Sequence, residues 1–198
     1  MSTKVVAIVG SYQKDGTTDA AVEAVLAGAR EKGAKTRTFH LIDQHLEFCT
    51  NCRDCAQTPG PERGKCPQQD DLEAMLTEIE AANAVVLGSA VNYGNVTAVF
   101  RKFMERLTGF SYWPWGHVLP KLRKKRRSRK AVLVASSGMP GFFIPLLTDA
   151  ASSLRTTAKI LGAKPVDSLW VGQSSWRPRC RLSEEDREHA RQIGWKLA

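Results

Sequence analysis

The chain has 198 residues, of which 42% are hydrophobic and 25% charged, with a formal net charge of +9. That is enough apolar material for one domain over residues 1–198, and it excludes a globally disordered chain. No apolar run reaches membrane-spanning length, and the chain enters a strand pattern at once with no secretory leader, so the expectation is a cytoplasmic protein.

The elements alternate along the chain. Strand patterns cover residues 4–10, 35–41, 84–91, 130–137 and 165–171. Helix patterns cover 17–32, 70–82, 96–108, 145–161 and 183–197. Five short apolar strands separated by helices predict an α/β fold: a doubly wound, three-layer sandwich around a five-stranded parallel sheet. Right-handed crossovers leave the order 2-1-3-4-5 as the common solution. Ser183, with Asp186 three residues on, predicts a capped start for the last helix.

The first strand runs through Gly10 and Ser11 into Tyr12-Gln13-Lys14-Asp15-Gly16-Thr17-Thr18. A buried strand that turns through small and hydroxylated residues into a helix N-terminus suits a phosphate. Gly10 and Gly16 are too far apart for G-x-G-x-x-G, and there is no Walker A lysine. Two further loops reach the same carboxyl edge of the sheet: Ser89-Ala90-Val91-Asn92-Tyr93-Gly94-Asn95-Val96 after the third strand, and Ser136-Ser137-Gly138-Met139-Pro140-Gly141 after the fourth. Ligands of open parallel sheets bind at that edge. Small polar loops with one aromatic, Tyr93, suit a flat ring.

Three long connections interrupt the alternation: 42–69, 109–129 and 172–182. The first contains Cys49-x2-Cys52-x2-Cys55 and Cys66, ahead of Asp70-Asp71, which is expected to cap the next helix. Three thiols two residues apart can curl around a cubane cluster, and a fourth closes the site. A four-thiolate zinc site, free thiols and a redox-active disulfide remain open beside it. The second connection carries Phe110, Tyr112, Trp113 and Trp115, expected to cover a ligand, a neighbouring subunit or their own core. It continues into the basic run 121–130. That run holds eight cations, and removing it takes the net charge from +9 to +1. It is expected to be a solvated loop, and with no recognition helix beside it a nucleic-acid partner is not expected. The third connection carries Trp176, Pro178 and Cys180, the last read as structural. The four histidines show no catalytic spacing, and no catalytic residue is assigned.

These motifs resemble the NADPH-dependent FMN reductase branch of the flavodoxin-like superfamily, particularly the iron–sulfur flavoproteins and their cluster-free relatives. The resemblance runs from residue 5 to about 161. The first loop is similar to the family's G-S-P-R-x-G-x-[NS]-T, and the second to S-P-V-Y-x-G-x-[VM]-[TS]. Residues 100–106 resemble its K-x-F-x-D-R helix. The resemblance implies FMN, with its phosphate on Ser11, Thr17 and Thr18. Gln13 replaces the usual arginine, and Lys14 would supply the charge beside Gly16. It implies flavin contacts from Ala90, Val91, Asn92, Tyr93, Gly94 and Asn95, and more loosely from Ser136 and Gly138. It also implies NAD(P)H as co-substrate, a quinone, flavin, metal or protein as electron acceptor, and a homodimer or homotetramer. Iron–sulfur flavoproteins place a [4Fe–4S] cluster on a compact cysteine motif in this loop. On that reading Cys49, Cys52, Cys55 and Cys66 are the ligands. The alternative function is a non-enzymatic electron carrier fed by ferredoxin.

Overall fold

The computed structural model describes residues 2–123, 128–175 and 182–198. Trp176, Pro178, Cys180 and residues 124–127 of the basic run lie outside them.

The central sheet is built from β1 (Lys4–Gly10), β2 (Lys35–His40), β3 (Ala84–Asn92), β7 (Arg129–Ser136) and β8 (Ala163–Val171). All four of its pairings are parallel, in the order β2-β1-β3-β7-β8, as expected for the five main strands. Two features add to the predicted count. A short β4 (Asn95–Val96) folds back antiparallel on the end of β3, and β5 (Ser111–Tyr112) and β6 (Lys121–Leu122) form a separate ribbon.

Because the sheet is covered on both sides, its strands read as continuous apolar runs, and alternate residues serve opposite cores. Val6, Ile8, Val85, Leu87 and Leu133 face α2 (Leu72–Glu80), α3 (Ala98–Glu105) and α5 (Ala150–Ile160). Val5, Ala7, Val9, Val86 and Val134 face α1 (Thr17–Glu31) and α6 (Glu184–Trp195). α1 and α6 pack at backbone distance. A Cβ on Gly28 would lie 1.9 Å from Arg191 O, and one on Gly194 would lie 2.0 Å from Val25 O.

Three helices differ from expectation. The predicted 96–108 helix starts later, because Val96 pairs with Val91 in the β3–β4 hairpin, and it ends as a 3-10 turn over Arg106–Phe110. The predicted 145–161 helix breaks into α4 (Ile144–Leu147) and α5, with Thr148 extended between them. The 70–82 helix shortens because Asp71 Oδ2 accepts from His45 N at 2.7 Å instead of capping. Asp70 does meet its helix, accepting from Leu72 N at 3.1 Å. Ser183 caps α6 as predicted, accepting from Asp186 N at 3.0 Å. Among the described residues no helix is long and apolar enough to cross a membrane.

The basic run is not simply a solvated loop. Arg123 donates to the carbonyls of Gly109, Thr58, Gly60 and Cys55. Arg129 donates to those of Ala82, Leu161 and Glu80. Lys130 Nζ reaches Lys196 O at 2.7 Å. These cations satisfy carbonyls left over at helix and loop ends, which repulsion within the run does not outweigh.

Candidate functional site

The three strand-end loops are tied to one another. Ser11 Oγ accepts from Gln13 N at 3.2 Å and donates to Gln13 O at 3.0 Å, closing the start of the first loop. Asp15 takes a left-handed backbone, φ 59°, and its N–H donates to Asp19 Oδ2 at 2.9 Å. Gly16 is the N-cap of α1, so the positive end of that helix dipole points into the loop. Thr18 Oγ1 and Ser136 Oγ share a buried hydrogen bond of 2.6 Å, joining the first loop to the third. Lys14 is paired with Asp43 at 2.8 Å; that hydrogen bond and charge hold its pKa above the ordinary lysine value.

Thr97 links the first loop to the second. Its hydroxyl donates to Gly10 O at 2.6 Å and caps α3 by accepting from Phe100 N at 3.3 Å. Its N–H donates to Ser89 Oγ at 3.1 Å. A Cβ at Gly10 would lie 2.6 Å from Phe100 Cβ, so β1 can approach α3 this closely only with glycine there. Sequence reasoning did not assign Ser89 or Thr97 to the site; the signal was a hydroxyl before an apolar helix.

At the tip of the second loop, Tyr93 and Gly94 both have positive φ, 48° and 77°, between the paired Asn92 and Asn95. That is the geometry of a two-residue type I′ hairpin turn. The tip is braced from α5: Gly94 O accepts from Asp149 N at 2.7 Å, and Asn95 Oδ1 accepts from Ser153 Oγ at 2.9 Å. Tyr93 is fully exposed. The third loop is stapled to the segment after β8, with Ser137 N donating to Val171 O and Ser174 N to Ser137 O, both at 2.9 Å. Gly138 leaves room there, since a Cβ would lie 2.5 Å from Ser175 Oγ.

The four cysteines form a second feature. Cys49, Cys52, Cys55 and Cys66 are all unbridged and partly buried, and they line one cavity with Gln68, Arg106 and Trp113. Asn51 and Arg53 have positive φ, 55° and 60°, which curls the chain between the first three cysteines. Burial first, then the neighbouring Cys66, Cys49 and Cys52 thiols, push Cys55 up to about 11. The aromatic segment covers this loop. The Arg53 guanidinium stacks 3.5 Å from the centre of the Trp113 ring and 4.7 Å from that of Trp115, and Trp113 N donates to Ala56 O at 2.9 Å. Phe110 instead joins the core. Arg123 clasps the far side of the loop through the carbonyls of Cys55, Thr58 and Gly60, and ties it to that of Gly109.

Arg106 reaches the cavity from the end of α3. Its Nη1 donates to Asp70 Oδ2 at 2.5 Å and Glu47 O at 2.6 Å; its Nη2 donates to Asp70 Oδ1 at 3.3 Å and Cys66 Sγ at 3.4 Å. The two side chains of this ion pair are each 1% exposed. Burial works against both charges, and the hydrogen bonds outweigh it: Asp70 lies below the usual aspartate value and Arg106 above the usual arginine value. Arg106 Nε is buried with no hydrogen-bond partner among the described residues.

The sequence pattern of NADPH-dependent FMN reductases matches residues 3–176. The chain belongs to that family. This FMN reductase-family chain is 29% identical over 196 residues to an iron–sulfur flavoprotein of Archaeoglobus fulgidus, spanning 98% of this chain and 79% of that protein. It is 35% identical over 103 residues to an iron–sulfur flavoprotein of Methanocaldococcus jannaschii, spanning 52% of this chain and 51% of that one. Among solved structures it is similar to an azoreductase from Bacillus anthracis, with a TM-score of 0.71, 15% identity, and coverage of 98% and 99% of the two chains. It is also similar to an NAD(P)H:quinone oxidoreductase from Methanothermobacter marburgensis, with a TM-score of 0.65, 20% identity, and coverage of 100% and 96%. An archaeal flavodoxin aligns at a TM-score of 0.58 with 13% identity, over 98% of this chain and 96% of its own. At such identities these structures establish the flavodoxin-like fold.

Proposed function

We infer that this chain is an FMN-dependent oxidoreductase carrying electrons from NAD(P)H to a quinone, flavin, metal or protein acceptor, and that its four clustered cysteines hold a [4Fe–4S] cluster. The observation that carries the flavin reading is the locking of three strand-end loops at one edge of the sheet, by Thr18 with Ser136 and by Thr97 with Gly10. Ser11, Gln13, Gly16, Thr17 and Thr18 would hold the FMN phosphate at the positive end of α1, with Lys14 adding charge only by leaving or sharing its pair with Asp43. Ala90, Val91, Asn92, Tyr93, Gly94 and Asn95 would meet the edge of the ring, with Ser136 and Gly138 across from them. The type I′ turn presents the backbone of Tyr93 and Gly94 outward, and a Cβ on Gly94 would meet nothing within 4 Å.

The cysteine cavity fits an anionic sulfur centre. Its donor set is four thiols, and the Arg106 Nε–H nearby lacks an acceptor among the described residues. Among those residues no three His, Cys, Asp or Glu side chains already form a metal site. Four thiols in one cavity suit either zinc or an iron–sulfur cluster, and the likeness to iron–sulfur flavoproteins supports the cluster. When bound, FMN would supply hydride and one-electron chemistry, and the cluster one-electron chemistry. The protein's part is to bind, orient and shield them. The exposed Phe142, Leu146 and Leu147 just beyond the third loop suit coverage by a second copy, consistent with a homodimer or homotetramer.

The cysteine cavity also favours a second reading, a non-enzymatic electron carrier charged by ferredoxin. Anaerobic purification, an absorbance spectrum and iron and sulfide assays test the cofactors. Steady-state oxidation of NADPH and NADH with quinone or FMN then separates the readings. Flavin bands with turnover support the reductase. Flavin and iron without turnover support the carrier. Failure to take up added FMN overturns both.

A further inference from the structure

The sequence places Arg106 in a family-like helix motif, and the structure brings its side chain into the cysteine cavity. α3 starts at Thr97, which touches β1 of the flavin site, and delivers Arg106 to the cysteine cavity nine residues later, about 14 Å along a helical path. Between them Phe100 and Phe103 are buried, their ring centres 6.2 Å apart in an edge-to-face pair.

An arginine serving only as a strut would be satisfied by Asp70 and Glu47 O. Arg106 does more. Its Nη2–H donates to Cys66 Sγ, and its Nε–H is buried without an acceptor among the described residues. Asp70 in turn is held from the other side by Glu47 N at 2.8 Å and Leu72 N at 3.1 Å. The guanidinium thus sits at the sulfur with a counter-charge shared with two backbone donors.

We propose that Arg106 is a positioning residue that sets the reduction potential of the cysteine-held centre through its N–H to S bond with Cys66, with Asp70 setting how much of its positive charge the centre feels. This rests on the [4Fe–4S] reading above. Reduction adds one electron, supplied by reduced flavin or by an external donor, and so one negative charge, with no bond broken. A buried positive donor on a ligand sulfur favours the reduced form, because hydrogen bonds to sulfur and local charge are among the levers that set such potentials. Removing the cation lowers the potential, and removing its counter-charge raises it.

The test uses anaerobically purified full-length protein in wild-type form and as Arg106→Gln, Arg106→Lys and Asp70→Asn. Each is assayed for iron and sulfide and titrated with dithionite under electron paramagnetic resonance. Arg106→Gln is expected to shift the one-electron equilibrium at least tenfold toward the oxidised form, a fall of about 59 mV. Arg106→Lys keeps the charge without the fork and falls between the two. Asp70→Asn moves in the opposite direction. A strut alone does not produce shifts of opposite sign. Loaded variants with the wild-type potential overturn the proposal. So does loss of iron from all three variants with the fold intact by circular dichroism, which assigns the pair to building the site. Wild-type protein without iron and sulfide removes the cluster reading itself, a result distinct from either.

Discussion

At the scale of single residues, burial and unmade hydrogen bonds dominate. With its thiol pushed up to about 11, Cys55 is protonated at neutral pH when no metal is bound. Iron-free protein treated with iodoacetamide at pH 8 should therefore label at Cys55 far more slowly than an ordinary thiol, with the rate climbing as pH approaches 11, as read by peptide mass spectrometry. The same shift sets a stability trend. Between pH 9 and 11 the unfolded chain loses this proton first, so Cys55 makes metal-free protein less stable as pH rises through that window. The Thr18–Ser136 bond makes a second case. Thr18→Val leaves the Ser136 hydroxyl buried without its partner and should cost about 1–3 kcal/mol in urea unfolding. FMN affinity, read by fluorescence quenching, should weaken with it, because that bond joins two of the loops proposed to hold the flavin.

At the scale of elements, loops owe their shape to struts from elsewhere. The β3–β4 turn holds Gly94 at φ 77°. Replacing Gly94 with valine puts a β-branched residue in the left-handed region, at a cost of about 1–2 kcal/mol. The hairpin tip should then distort, and FMN binding should fall in proportion to the loss of tip geometry. Arg123 has the same standing for the cysteine loop. Arg123→Ala removes the donor to four carbonyls, those of Cys55, Thr58, Gly60 and Gly109. Limited proteolysis should then cut faster between residues 57 and 62, and protein carrying the proposed cluster should lose iron more readily to a chelator. Unchanged cutting in that loop would show that the stacked Trp113 and Arg53 hold it unaided.

At the scale of the whole molecule, the helix layer on one side depends on two glycines. With only 1.9 Å and 2.0 Å available to a Cβ, Gly28→Ala or Gly194→Ala must push α1 and α6 apart. Either should cost at least about 1–3 kcal/mol in thermal or denaturant unfolding, as overpacking does. The alternation of strand and helix, the order of the five long strands and the three loops at their carboxyl ends were all readable beforehand. Such features follow from local periodicity and from the handedness of parallel crossovers. The cysteine spacing likewise announced a cluster of thiols, because its members lie close in the chain. Other features depend on partners far apart in sequence. Val96 reads as helical but pairs with Val91 once the hairpin turn forms. Lys14, free to serve a phosphate on paper, meets Asp43. Arg123 and Arg129, members of a charge run, end on loop and helix carbonyls 63 to 68 and 32 to 49 residues away, apart from the Gly109 bond, 14 residues back. Arg106 and Asp70, separated by 36 residues, become a buried pair at the sulfur of Cys66. The amino-acid sequence by itself determined the sheet, the alternation of strand with helix and which loops lie at the carboxyl edge of the sheet, because those rest on local pattern. Only the tertiary structure decided where each cation goes, because a side chain that leaves water takes whichever acceptor the packed chain brings within reach.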